Sequence, residues 1–262
     1  MPELASVGIC LYCNKEFTKD SISRHLDNHL AKKTNIGKPG KSFLVKIEIN
    51  PKWGNSPYFL QLWIDGNSTM QELDTFLRQI WLECCGHMSA FRNPKIRKKE
   101  GGILNLFSPG NLSSKGKQKW FEKITEEDND EIPKGRKAKE ALKKDLKLVY
   151  EYDFGTTTEL HISVSSEYSI SADEKIVLLS RNEPPVFLCE TCRVKPATKI
   201  CSVCIYEDES AFCNDCAKKH AKKCPDFNDY SSLPVVNSPR MGVCAYEGGR
   251  IDTKRDGLFV KK

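Results

Sequence analysis

Three observations predict an α+β chain built in three parts. Cysteines and histidines gather at the two ends at ligand-like spacing, the middle carries alternating apolar residues, and one central segment repeats its apolar positions at three- and four-residue steps. The 262 residues leave room for one large domain or two to three small ones. Lys+Arg total 41 against Asp+Glu 35, a formal charge of +6, with 39% hydrophobic and 29% charged residues. This is the composition of a folded chain, not of a disordered one. No apolar run approaches the roughly 18 residues of a membrane span. Met1-Pro2-Glu3-Leu4 lacks the basic-then-apolar order of a secretory signal. The expectation is a cytoplasmic protein with no membrane partner, and in that reducing setting the 12 cysteines point to metal rather than disulfides.

The first element, residues 1–31, holds Cys10-x2-Cys13-x11-His25-x3-His29. Two cysteines two residues apart form a knuckle, two histidines three residues apart share a helix face, and zinc takes four such ligands in a tetrahedron. The motif resembles the two-cysteine, two-histidine zinc finger, with Phe17 and Ile22 where such a finger keeps its small core. The resemblance implies a ββα fold. Eleven residues separate Cys13 from His25 where twelve are usual, and the deficit lies between Phe17 and Ile22, so the helix start is left open. By the same resemblance Thr18, Ser21 and Arg24 stand at base-reading positions, while Arg24 and Lys19 could touch phosphate or a protein surface instead.

Residues 32–41, rich in Lys, Gly and Pro, read as a linker to a central α+β domain spanning 42–185. Phe43, Val45, Ile47 and Ile49 alternate as in a half-buried strand, Pro51 to Pro57 reads as a turn, and Tyr58 to Ile64 as a second strand. Ser68 with Gln71, or Thr69 with Glu72, offers a capping box, after which Met70, Leu73, Phe76, Leu77, Ile80, Trp81 and Cys84 fall on one helical face. That helix is expected to cross the sheet, with Cys84 in the core and Gly86 at the helix end. Residues 92–147 carry 16 Lys+Arg against 9 Asp+Glu, a net +7, while the remainder of the chain is net −1. The stretch reads as a basic excursion, either a nucleic-acid footprint or a solvated segment, with a short helix over Ala138 to Leu146. Val149 to Phe154 and Leu160 to Val164 form a hairpin pattern around Gly155, and Glu174 to Arg181 reads as a further strand closed by Pro184-Pro185.

Residues 186–226 run Cys189-x2-Cys192-x8-Cys201-x2-Cys204-x8-Cys213-x2-Cys216-x3-His220-x3-Cys224. Eight ligands in so short a run suit two zinc ions, for three in the whole chain. Cys216, His220 and Cys224 at four-residue steps would suit a sequential pairing. The layout resembles cross-brace modules of the MYND and B-box type, and that resemblance implies an interleaved pairing: Cys189, Cys192, Cys213 and Cys216 on one ion, Cys201, Cys204, His220 and Cys224 on the other. Both pairings stand open at this point. Four protein ligands leave no position for water, so such sites are structural. Residues 227–262 are expected to be irregular, with Cys244 unassigned.

Tyr58-Phe-Leu-Gln-Leu-Trp-Ile64, the stretch from Leu73 to Phe91 ending Cys84-Cys-Gly-His-Met-Ser-Ala-Phe91, Tyr150-Glu-Tyr-Asp-Phe-Gly155 and Pro234 to Tyr246 are similar to strings of the plasmid pRiA ORF-three-like family, discontinuously over residues 42–246. The resemblance implies an α+β fold with a mixed sheet and a crossing helix, β-grasp-like in arrangement, and a mobile-element setting. It also implies that the basic segment 92–147 is an insertion outside the core.

Three functions are weighed. The first is a zinc-dependent, non-catalytic protein contacting nucleic acid through the finger and the basic stretch. The second is an adaptor gripping a protein partner through the cysteine-rich module. The third is an enzyme built on Cys85, His87, Ser89 and Asp153, a Cys/His pair being able to act as nucleophile and base. Against the third, a Cys-Gly-His at a helix end is more often packing, with His87 a hydrogen-bonded strand residue. No phosphate-binding glycine loop is visible and no small-molecule substrate is indicated.

Overall fold

The computed structural model describes residues 6–50, 56–94, 131–206 and 209–257. The chain begins with a hairpin, β1 (Val7–Ile9) and β2 (Glu16–Thr18), and a helix, α1 (Ile22–Lys33). Seven strands follow that form the main sheet: β3 (Pro39–Ile49), β4 (Phe59–Asp65), β5 (Ser89–Arg92), β6 (Glu131–Ile132), β7 (Lys147–Tyr152), β8 (Thr158–Ile170) and β9 (Ile176–Arg181). Their order is β6-β5-β7-β8-β3-β4-β9, and every neighbouring pair is antiparallel. The expected mixed sheet is therefore corrected, and with no parallel pair among the described strands the β-grasp-like arrangement is set aside. The cause is the path of the chain between β4 and β5. It does not return the chain beside β4, as a crossover to a parallel neighbour would, but carries it past β3, β8 and β7 to the far side.

The crossing helix α2 (Met70–Leu77) opens with one of the two capping boxes the sequence offers. The Glu72 amide donates to Thr69 Oγ1 at 3.2 Å and the Thr69 amide to Glu72 Oε2 at 2.7 Å. Ser68 is used elsewhere, its hydroxyl donating to the Lys175 carbonyl at 2.6 Å. The helix ends earlier than its periodicity predicts. From Arg78 to Leu82 it widens into a π-turn, which frees carbonyls that a tighter helix would consume.

The sheet is covered on both faces. On one, α2 and the π-turn set Met70, Leu73, Leu77, Ile80 and Trp81 against Phe43, Val45, Leu60, Leu62 and Ile162. On the other, α1 sets Ile22, Leu26 and Leu30 against Leu44, Phe59, Trp63 and Leu179. This explains why Phe59 to Asp65 shows no polar alternation: β4 is buried along its whole length because a helix lies over each side.

Two further expectations change. Residues 131–147 are not an excursion outside the core: β6 pairs with β5, and Ile132, Ala138 and Leu142 are buried in the main core. Residues 95–130 of the basic stretch lie outside the described residues. The helix expected over Ala138 to Leu146 is one turn, Ala138–Ala141.

Beyond the sheet, β10 (Lys199–Cys201), β11 (Ala211–Phe212) and β12 (Ser232–Pro234) make a small antiparallel sheet with a helix at Asn214–His220. Of residues 227–262, expected to be irregular, Phe227–Ser231 form a π-turn, Ser232–Pro234 form β12 and Thr253–Arg255 a single 3-10 turn, and Asn237, Ser238, Arg240, Tyr246 and Asp256 are buried. Buried Arg181 ties this C-terminal segment down, donating to Asp256 Oδ1 at 2.8 Å.

Candidate metal centres

Among the described residues, four groups of cysteine and histidine bring their ligand atoms within 4.8 Å of one another and could hold a metal ion. For an ion bonded at about 2.3 Å to sulfur and 2.0–2.1 Å to nitrogen, a tetrahedron sets S···S at about 3.8 Å, S···N at about 3.6 Å and N···N at about 3.3 Å. Those separations are the test that each group has to meet. All twelve cysteines are free thiols, so none is diverted into a disulfide.

The first group is Cys10, Cys13, His25 and His29. The knuckle closes because the Asn14 amide donates to the Cys10 carbonyl at 2.8 Å while Asn14 takes φ +56°, a left-handed turn that Asn tolerates. His25 and His29, one turn apart on α1, bring their Nε2 atoms to 3.1 Å, and Cys13 Sγ lies 3.3 Å from His25 Nε2. Phe17 stacks on His25 at 3.9 Å. Burial, with His29 beside it, pulls His25 below the usual imidazole range, which keeps it neutral and able to ligate.

The one-residue deficit before His25 has a visible result. Helix α1 starts only at Ile22, so Thr18 ends β2 and residues 19–21 form a turn. Thr18 and Ser21, expected to read bases, bond to each other at 2.8 Å between hydroxyls. Lys19 is spent inside the molecule, pairing with Glu48 at 2.9 Å. Arg24 is exposed. Facing the sheet, Ser23 accepts from Gln61 Nε2 at 2.7 Å and Asp27 accepts from the Tyr168 hydroxyl.

The second and third groups bring the cysteines and histidine between Cys189 and Cys224 together in the interleaved order, not the sequential one. Cys189, Cys192, Cys213 and Cys216 converge on one point, and Cys201, Cys204, His220 and Cys224 on another. Cys192 and Cys213 sulfurs stand 4.0 Å apart, Cys201 and Cys224 4.0 Å, and Cys204 lies 3.7 Å from His220 Nε2. The Cys189 knuckle repeats the first: the Arg193 amide donates to the Cys189 carbonyl at 2.8 Å, with Arg193 at φ +56°. Phe212 stacks on His220 at 4.2 Å.

The sulfurs are electrostatically divided. Backbone amides of Lys195 and Val194 lower Cys192 to about 6. Burial would raise Cys201, but the Ser231 hydroxyl and nearby amides outweigh it and bring the thiol to about 6. Burial and the neighbouring sulfurs push Cys204 and Cys216 up to about 12. Four thiols this close cannot all ionise unaided, and a bound cation removes that conflict.

The fourth group, Cys84, Cys85, His87 and Cys244, joins the end of the crossing helix to the C-terminal segment. Sequence reasoning missed it as a set. Cys84, expected in the core, packs against it but is only half-buried, and its sulfur lies 3.7 Å from that of Cys85. His87 is not in a strand: it lies in the loop before β5, its ring edge-on to Tyr152 at 5.7 Å. Cys85 Sγ is 2.9 Å from His87 Nε2, and His87 Nδ1 is 3.6 Å from Asp153 Oδ1, so the candidate catalytic trio does meet. Ser89 stands apart from it, buried and bonded to Asp74 Oδ1 at 2.5 Å. The sequence signals for the set were the adjacent Cys84, Cys85 and His87 and the leftover Cys244, more than 150 residues away from them.

No family model matches the chain, and no curated protein matches it. Among solved structures, a crystal structure of a protein of unknown function from Methanosarcina mazei Go1 is similar at 14% identity and a TM-score of 0.32, covering 53% of this chain and 67% of that one. No helix among the described residues is long and apolar enough to cross a membrane.

Proposed function

We propose that this chain is a non-catalytic zinc protein that recognises a protein partner through its cysteine-rich module, residues 186–234. The first three groups offer, in turn, two cysteines with two histidines, four cysteines, and three cysteines with one histidine. These are the donor sets zinc takes in closed structural sites, each with four protein ligands. When bound, zinc would offset the crowded thiolate charge and fix the knuckles, leaving no position for a reacting water.

The observation that carries the reading is where apolar side chains meet solvent. Of the nine large apolar side chains exposed among the described residues, five belong to this module: Val186, Leu188, Val194, Val203 and Tyr230, at 52%, 53%, 79%, 39% and 66% exposed. Such a concentration of exposed apolar side chains is what a protein-binding face draws on. The N-terminal finger supports the same ranking. Its helix packs an apolar face onto the sheet, Lys19 pairs with Glu48 inside the molecule, and the exposed Thr18 and Ser21 hydroxyls bond to each other; Arg24 is exposed as well.

Nucleic-acid binding is the second reading, favoured by one observation: Lys218, Lys219, Lys222 and Lys223 are exposed on and just after the module's helix. The mobile-element setting implied by the family resemblance fits either partner. Peptide display against the zinc-loaded full chain separates the two. A selected peptide should lose binding on Val194→Asp with Tyr230→Asp and keep it on Arg24→Ala. Absence of any such peptide, together with oligonucleotide affinity that falls steeply with log salt, would give the function to nucleic acid.

A further inference from the structure

We infer that Cys84, Cys85, His87 and Cys244 form a fourth metal site, for zinc or another thiophilic divalent cation, and that the ion clasps the C-terminal segment to the end of the crossing helix. The four donor atoms converge on one point. Cys85 Sγ lies 3.7 Å from Cys84 Sγ, and Cys244 Sγ lies 3.7 Å from His87 Nε2, both at the tetrahedral separation; Cys85 Sγ stands closer to Cys244 Sγ, at 3.3 Å, and to His87 Nε2, at 2.9 Å, and these two separations would open by about half an ångström around an ion. The set is three cysteines and one histidine, the same donor chemistry as the group at Cys201, Cys204, His220 and Cys224.

The surroundings are built for a ligand cluster. A metal-bound imidazole is commonly oriented by a carboxylate on its other nitrogen, and Asp153 stands there, 3.6 Å from His87 Nδ1. Asp153 is in turn held by Arg240, a fully buried guanidinium that also donates to the Thr156 carbonyl at 2.6 Å and approaches Cys84 Sγ at 3.9 Å. Gly86 takes φ +78° with its amide on Glu83 Oε1 at 2.6 Å, turning the loop so that Cys85 and His87 face one point.

Cys244 reaches that point on a segment anchored at both sides. The Ser238 hydroxyl donates to the Trp81 carbonyl at 2.6 Å, and the Arg250 amide to the Gln79 carbonyl at 2.6 Å, both carbonyls belonging to the π-turn. Gly249 passes so close that an added Cβ would stand 2.5 Å from the Ile80 carbonyl oxygen. Cys244 itself is held at φ +56°, a conformation a non-glycine residue adopts at a cost and that its surroundings must enforce.

Two other uses of the same atoms are less well matched. A nucleophile with His87 as base and Asp153 as its orienter has no need of two further thiols within 4 Å of the attacking sulfur. A Cys85–Cys244 disulfide needs about 2.05 Å between sulfurs, and the pair stands at 3.3 Å. Cys85 and Cys244 are exposed, whereas the other three groups keep their ligands buried or half-buried. The fourth ion should therefore be the first that a chelator takes.

The test is metal counting on the full chain purified under reducing conditions, by native mass spectrometry with elemental analysis, followed by stepwise chelation with iodoacetamide present. Four ions are expected in the natural protein and three in Cys244→Ser and in Cys85→Ser. Loss of the first ion should expose Cys85 and Cys244 to alkylation while the cysteines of residues 189–224 stay protected. Should either variant fail to fold, the alkylation order in the natural protein decides alone. Three ions with Cys85 and Cys244 alkylated regardless of chelator, or a native mass two hydrogens lighter from a Cys85–Cys244 bond, would overturn the inference and leave the other three groups untouched.

Discussion

The N-terminal finger and the cysteine-rich module open with the same knuckle and then diverge. Each places two cysteines around a turn closed by an amide-to-carbonyl bond of 2.8 Å and a following residue at φ +56°. The finger's helix then buries Ile22, Leu26 and Leu30 against the sheet, beside Leu44, Phe59 and Trp63. The module buries two small clusters: one is mostly ligand, with Cys189, Cys201, Cys204, Cys213 and Cys216 beside Phe212, Ala217 and Phe227, and the other joins Ala197, Ile200, Leu233 and Val235. One knuckle serves a layer of the main core; the other serves a scaffold held by its cages and one small apolar cluster. The same motif thus predicts metal binding without predicting how much of the fold depends on the metal.

Chelation should separate the two most sharply. A structural zinc contributes on the order of 10 kcal/mol to the folding of a small metal-dependent unit, more than the module's one small apolar cluster of Ala197, Ile200, Leu233 and Val235 could replace. Hydrogen exchange after complete metal removal should show residues 186–234 unprotected, β3, β4 and β8 protected, and α1 between the two, held by its apolar face. Equal loss of protection in α1 and the module would mean that the finger is no more part of the core than the module is.

The converse perturbation leaves the metal and removes the packing. Leu26 is fully buried and is not a ligand. Leu26→Ala should cost about 2–5 kcal/mol, the range for truncating a buried leucine, with the Cys10, Cys13, His25 and His29 site still loaded. A urea titration followed by tryptophan fluorescence reads it, since Trp63 lies in the same cluster. A change of under about 0.5 kcal/mol, typical of surface positions, would show α1 resting on the sheet without supporting it.

What the sequence could reveal followed from how far apart cooperating residues lie. The three local cages were legible because their ligands fall within short runs at spacings set by knuckles and helix turns. The capping box and the β7–β8 hairpin were legible for the same reason. The apolar run Tyr58 to Ile64 read as a strand, but its lack of alternation made sense only once α1 was seen to cover Leu44, Phe59 and Trp63. The fourth cluster was hidden because Cys244 meets Cys85 across the whole sheet domain. The antiparallel order of the sheet was likewise beyond local pattern: it depends on the chain after α2 delivering β5 to the far side. Arg181 and Arg240, both fully buried, gave no signal at all, since an arginine at a strand end or in a polar tail reads as solvated.

The smallest expected effect concerns a buried carboxylate of the crossing helix that is not itself a ligand, Asp74. Burial would raise the Asp74 carboxyl, but the donors around it outweigh that and hold it below its ordinary value. Ser89 Oγ stands at 2.5 Å, the Tyr150 hydroxyl at 2.8 Å, Lys134 Nζ at 3.1 Å and Arg78 Nε at 2.9 Å. A carboxyl lowered on folding contributes stability above its unfolded value of about 3.9 and loses it as pH falls through the lower folded value. Asp256 has the opposite sign, since burial raises it despite Arg181, so its contribution is lost as pH rises. The raw acid limb therefore mixes these with protonation of the cages, which both proteins share when Asp74→Asn is compared with the natural chain. The difference between their urea midpoints should shrink as pH is lowered from 6 toward 3, because the natural protein alone gives up the Asp74 contribution. A difference that stays constant over that interval would mean that Asp74 titrates alike folded and unfolded, and that the donors around it confer no net preference for the charged form.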